Sequence, residues 1–203
     1  MKYFFYTTGI FMMSLGIALT IESGFGASPF DALLVGLANQ IGLTVGSWEM
    51  IIALIMVGGN SLLSKTRPEF KGLLTAFIAG LGIDLWLYVL QAFTQPEMWL
   101  SRLLFLGFGL LIVGAGIACY LQTQVAPIPM DRLMLLIRDR SGMGILLSRT
   151  LIQLFFLLMA FLFHGPIGIG TLLTVCLGGA ILQFFMPYAA KLIPTHKSSS
   201  SFQ

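Results

Sequence analysis

The sequence predicts an all-α membrane protein: six transmembrane helices arranged as two inverted three-helix repeats, each with a short re-entrant or interfacial helix after its first span. Three observations lead there: an apolar composition, a one-sided distribution of basic residues, and a self-similarity at a spacing of 100 residues. Of the 203 residues, 57% are hydrophobic and 9% charged, where soluble domains carry about 25% charged residues. A soluble body of this size has too little interior to hide so many apolar side chains, and the mean hydropathy of +0.94 agrees. Soluble enzymes, nucleic-acid modules and disordered tails are excluded on that ground. The net charge of +3 is too small for a nucleic-acid surface, so the expected partner is the lipid bilayer. Cys119 and Cys176 both sit in apolar runs and read as small buried hydrophobes, not as a disulfide or a metal pair.

Charges and turn residues divide the chain into six apolar segments, at residues 3–21, 48–63, 73–92, 103–121, 147–163 and 167–190. Each is near the roughly 20 residues that cross a bilayer, the fifth slightly short. With the N-terminus in the cytoplasm, the inner loops receive Lys2, then Lys65, Arg67 and Lys71, then Arg132, Arg138, Arg140 and Arg149, then Lys191 and Lys197. Of the 11 basic residues only Arg102 falls outside. The positive-inside rule therefore orients the chain with both termini cytoplasmic, in a bacterial inner membrane. Trp48, Trp99 and Tyr188 stand near span ends, as interfacial aromatics do.

The two halves share a pattern. Gly16-Ile17-Ala18 recurs as Gly116-Ile117-Ala118, Pro29-x-Asp31 as Pro129-x-Asp131, Leu33 as Leu133 and Gly42 as Gly142, all 100 residues apart. Leu-Leu-Thr closes at Thr75 and again at Thr174, and Gly80 and Asp84 then meet Gly179 and Gln183 at a spacing of 99. A repeat with an odd number of spans inserts upside down relative to its copy. The loop around Pro29-Phe30-Asp31 has no basic residue, whereas the one around Pro129-Met130-Asp131 has Arg132, Arg138 and Arg140. The chain thus divides into a first repeat over residues 1–95, an inverted second repeat over 96–192, and a polar, disordered cytoplasmic tail over 193–203.

After the first span, glycines break the helix and Pro29 suits the first turn of a new one. Ser28 stands at the N-cap and Asp31 in the first turn, complementing the helix dipole. The apolar stretch that follows is too short to span and ends near Asn39-Gln40 and Gly42. The segment through Pro127, Pro129 and Asp131 matches it and would enter from the opposite face. Two short helices converging from opposite sides would create a polar focus able to hold an anionic or carbonyl-bearing solute. The alternative is a pair of amphipathic connectors, with Ser28 and Asp31 only capping and Asp131 paired with Arg132.

Asp84 lies about twelve residues into the third span, where a carboxylate needs a cavity or a partner. It is the candidate proton or sodium site, and Gln183, its repeat mate, would make the halves unequal in coupling. The candidate substrate- and ion-binding residues are therefore Ser28, Pro29, Asp31, Asp84, Pro129, Asp131 and Gln183. Glu22 and Glu49, at the outer ends of the first two spans, are expected to be wetted. The two histidines, His164 and His196, are isolated, and no His/Cys cluster, phosphate-binding glycine motif or nucleophile–base pair stands out. The reading is of a protein that is not an enzyme, with no cofactor and no metal.

These residues resemble the bacterial YczE/YyaS/YitT membrane proteins. Gly26-Ala-Ser-Pro-Phe-Asp31 is similar to that family's Leu-Gly-x-Ser-Pro-Trp-Asp, and Ile41-Gly-Leu-Thr-Val-Gly46 to its Thr-Gly-Leu-Ser-x-Gly. Gly80-x-x-x-Asp84 and Gly168-Ile-Gly170-Thr171 also resemble family elements. The chain departs in carrying Phe30 for the usual Trp and in lacking Gly-Thr in the first half. The resemblance implies a multipass inner-membrane protein of presumed transport type and supplies no substrate. Inverted repeats with matching interruptions are a construction principle of secondary transporters, so a carrier for a small solute is the leading expectation. A solute channel built on two half-helices and a non-transporting membrane subunit or assembly partner are the alternatives.

Overall fold

A computed structural model describes residues 2–68, 70–93, 96–126, 128–142 and 144–192, apart from the side chains at 131, 135, 145 and 146. The polar tail expected over 193–203 and the side chain of Asp131 lie outside the described residues. Eight helices follow one another: α1 Lys2–Glu22, α2 Pro29–Ile41, α3 Val45–Ser64, α4 Lys71–Phe93, α5 Trp99–Gln122, α6 Pro129–Ser141, α7 Ile145–Leu162 and α8 Ile169–Leu192. Five of them, α1, α3, α4, α5 and α8, are long and apolar enough to cross a membrane. The sixth expected span, α7, falls short. Its apolar stretch Leu147–Leu162 rises only about 24 Å at 1.5 Å per residue, against a hydrocarbon core of about 30 Å.

The outer surface is apolar, unlike that of a soluble protein, and several polar side chains lie inside. Ser14, Ser23, Asp31, Glu49, Asn60, Thr75, Thr123 and Ser148 are buried, while Leu62, Phe93, Phe161, Leu172 and Leu192 are exposed. In water such an outer surface would drive association; in lipid it is the expected coat. Cys176 belongs to that exposed surface and Cys119 is half-buried, so neither is the buried hydrophobe that the apolar runs imply. Both face positions that hydrocarbon, not a packed core, can fill.

The centre of the bundle is an α1–α5 pair held by glycines. A Cβ on Gly9 would meet the backbone of Gly116 and Tyr120, and one on Gly16 would meet Gly109 and Val113. As the position rises along α1 its partner falls along α5, so the two helices run antiparallel. Gly9 and Gly109, and Gly16 and Gly116, are themselves 100 residues apart; the same small-residue pair thus serves both helices, and backbones approach where Cβ atoms would collide. Outside this pair, α4 packs on α1 and α8 on α5, α2 on α7 and α6 on α3, α2 on α3 and α6 on α7. Leu33 and Leu37 of α2 and Leu133 and Ile137 of α6 share one apolar cluster with Ile152 and Phe156 of α7.

The short helices begin and end as the sequence dictates. Pro29 opens α2 and Pro129 opens α6. Each stops at a glycine with positive φ, Gly42 at 95° and Gly142 at 67°, whose N–H donates back to Ala38 O (3.1 Å) and Arg138 O (3.0 Å) respectively.

Candidate functional site

A cavity of about 190 Å³ lies among the helices, and all eight contribute to its wall. Much of the lining is apolar: Met13 and Ile17 from α1, Ile83 from α4, Val113 and Ile117 from α5, Met130 and Met134 from α6, Ile152 from α7 and Leu182 from α8. Into it come a few polar groups, Thr20, Ser28, Asp31, Glu49, Tyr120, Arg149, Gln153 and Thr174. A concave, mostly apolar space with sparse, convergent polar groups is the usual form of a small-molecule site.

Ser28 and Asp31 are placed by the start of α2. The Asp31 N–H donates to Ser28 Oγ at 3.2 Å, and the Ser28 hydroxyl donates to Asp31 Oδ2, a reciprocal cap of the kind that fixes a helix N-terminus. The loop before it is pinned from outside. Ala27 N–H donates to Pro166 O (3.2 Å) and Gly170 N–H to Phe25 O (2.8 Å), and a Cβ on Gly26, whose φ is +104°, would strike Gly168 N at 2.5 Å. Asp31 is 7% exposed, and Glu49, one turn into α3, is 5% exposed. The two carboxyl groups lie near enough for their charges to interact. Among the described residues Glu49 has no hydrogen-bond partner, and it lines the cavity.

The expected site residues separate into three groups. Ser28, Pro29 and Asp31 line the cavity, joined by Ile128 and Met130 at the start of α6. Pro129 does not: its carbonyl accepts from Asn60 Nδ2 at 2.9 Å, and it borders a smaller recess with Asn60, Arg67 and Arg132. Asp84 and Gln183 stand away from the cavity wall. Asp84 Oδ1 accepts the Gly46 N–H at 2.8 Å, so its carboxylate satisfies the first turn of α3, while Gln183 is exposed on α8.

Two charged residues of the cavity are not among those candidates. Glu49 reads from the sequence as a wetted residue at a span end, and the fold buries it instead, because α2 doubles back over the start of α3. Arg149 reads as an inner-loop charge, and the fold sets it half-buried on the cavity wall within α7. One signal points to both: they stand 100 residues apart, the spacing of the sequence's self-similarity, and are opposite in sign.

Residues 1–187 match a family described as a family of unknown function, DUF6198. The chain belongs to this family. DUF6198 relatives include the Bacillus subtilis "Uncharacterized protein YyaS", 56% identical over 187 residues that cover 92% of this chain and 93% of that protein. The "Uncharacterized membrane protein YczE" of the same organism is 33% identical over 194 residues, 95% of this chain and 89% of its own. An "Uncharacterized protein" of Haemophilus influenzae is 30% identical over 190 residues, 92% and 84% of the respective chains. The Ser-Pro-aromatic-Asp resemblance and the family match agree, and with them the helical architecture marks a multipass membrane protein. No solved structure matches the chain.

Proposed function

We propose that this chain is a small secondary transporter of the bacterial inner membrane, working by alternating access between two inverted halves, residues 1–95 and 96–192. Its site is the cavity into which the starts of α2 and α6 both open. The observation that carries the reading is the pair of opposite charges at matched repeat positions, Glu49 and Arg149, facing one concave, mostly apolar space. A charge held there without function costs several kcal/mol in a low-dielectric surrounding. With Asp84 engaged at the start of α3, Asp31 and Glu49 are the carboxyl groups placed to take up a coupling proton or sodium ion. The antiparallel α1–α5 pair supports an arrangement in which each half presents the same elements to opposite faces.

Reconstituted protein on a solid-supported membrane, challenged with pools of amino acids, amines and organic acids, tests the proposal. Transient currents that saturate with concentration, show counterflow and vanish in Glu49→Gln are the expected result. Linear, unsaturable flux would make the cavity a channel. Absence of flux from every pool, with an ATPase co-purifying from native membranes, would make the chain a non-transporting subunit.

A further inference from the structure

We infer that the cavity takes a small zwitterion: a molecule with an ammonium group at one end, an oxyanion at the other and an apolar frame between. This rests on the transport reading for its purpose but on the cavity alone for its chemistry. Three features carry it. Glu49 is 95% or more removed from solvent, faces the cavity and lacks a hydrogen-bond partner among the described residues. Asp31 lines the same cavity with one carboxyl oxygen engaged by Ser28, so two carboxyl groups are available to a cationic group. Arg149 lies on the same wall, yet among the described residues no ion pair joins it to either carboxylate.

The separation decides the ligand class. Were Arg149 paired with Glu49, the two would neutralise one another and the cavity would ask for a neutral solute. Unpaired, the buried carboxyl groups and the half-buried guanidinium each call for a partner of opposite sign. A simple amine would satisfy Asp31 and Glu49 and leave the guanidinium bare. A simple acid would satisfy Arg149, whose planar fork suits carboxylate and phosphate, and leave the two carboxyl groups of the same cavity without a partner. Only a molecule bearing both signs answers both groups, and the apolar lining of the same cavity, such as Ile83 and Ile152, calls for a hydrocarbon frame.

Two sources offer that chemistry, a free α-amino acid and the headgroup of a zwitterionic lipid. The probes are L-phenylalanine, its amine analogue phenethylamine, its acid analogue 3-phenylpropanoate and a short-chain phosphatidylethanolamine, each titrated against the purified full chain in detergent with thermal unfolding as readout. L-Phenylalanine or the lipid binding about tenfold or more tightly than both singly charged analogues is the expected result; which of the two prevails identifies the source. Glu49→Gln should bring the zwitterion's affinity down to that of the acid, and Arg149→Gln down to that of the amine. The comparison among ligands on the unmodified protein needs neither variant to fold. Equal binding of the amine and the zwitterion overturns the inference, as does equal binding of the acid, or stabilisation by none of the four. Zwitterion binding without flux would uphold the site and end the transporter reading, whereas saturable flux of amines alone would do the reverse.

Discussion

The seam between α3 and α4 and the region between α7 and α8 carry residues about 100 positions apart in the sequence but are built differently. At the first, Gly46 and Gly80 bring the backbones together so tightly that a Cβ on Gly46 would lie 2.1 Å from Gly80 O. Asp84 closes it by accepting the Gly46 N–H. Lower on α4, Thr75 is fully buried, hydrogen-bonded to the Tyr6 hydroxyl and to Ala126 O. In the second half, α7 and α8 do not pack along their length. Gly179 has nothing within 4 Å of its Cβ position, Gln183 is exposed, and Thr174 faces the cavity while bonding only Gly170 of its own helix. The most apolar stretch of α8 is 11% buried, that of α4 39%. Equivalent sequence positions thus serve a closed seam in one half and a loose one in the other. Under the transport reading proposed above, this inequality would mark one state, and the opposite state would exchange the two seams.

The largest expected effect is at the closed seam. Gly46→Ala forces a Cβ into carbonyl and carboxylate oxygens that a flexible side chain cannot move aside, so it should destabilise the protein by about 1–3 kcal/mol, the range for overpacking. Gly179→Ala meets open space and replaces a helical glycine, so it should be neutral or stabilise by up to about 1 kcal/mol. Thermal unfolding of both variants in one detergent decides the matter. Equal losses at the two positions would mean that the second seam is as closed as the first.

What the sequence made legible is what depends on near neighbours. Pro29 and Gly42, and Pro129 and Gly142, bracket the short helices because ring geometry and positive φ are local demands. The spans follow from apolar run length, and only α7, with Arg149 set into its first turns, falls below it. The role of Asp84 was not legible, since its partner is a backbone N–H 38 residues away, reached only because two glycines let α3 and α4 touch. Glu49 and Arg149 failed for a related reason: a charge near a span end looks wetted until a returning helix covers it. The 100-residue spacing held the missing cue, because it singles out Glu49 and Arg149 as a pair of opposite sign.

An intermediate effect is expected at Asp84. Asp84→Ala leaves the Gly46 N–H without its acceptor and should cost about 1–3 kcal/mol, whereas Asp84→Asn keeps an oxygen in reach and loses only the charge at the helix start, about 1 kcal/mol or less. Gln183→Ala, on the loose side, should fall within about 0.5 kcal/mol of wild type. If Asp84→Asn instead abolished flux while unfolding at an unchanged temperature, the residue would return to the coupling role that its depth in the span first implied.

A stability effect smaller than that of Asp84→Ala separates the two short helices. Ser28 caps α2 through its side chain, while Ile128 at the same place before α6 makes no side-chain cap. Ser28→Ala makes the first helix like the second and should cost about 1 kcal/mol, the usual worth of an N-cap. Its effect on binding should be larger than that figure implies, because the Ser28 hydroxyl also holds one oxygen of Asp31 and so fixes the direction in which the other meets the cavity. Affinity for the zwitterion lost by tenfold or so (about 1.4 kcal/mol), beside a minor shift in unfolding temperature, would show the cap orienting a ligand-binding carboxylate. Proportionate losses in both would confine Ser28 to holding the helix.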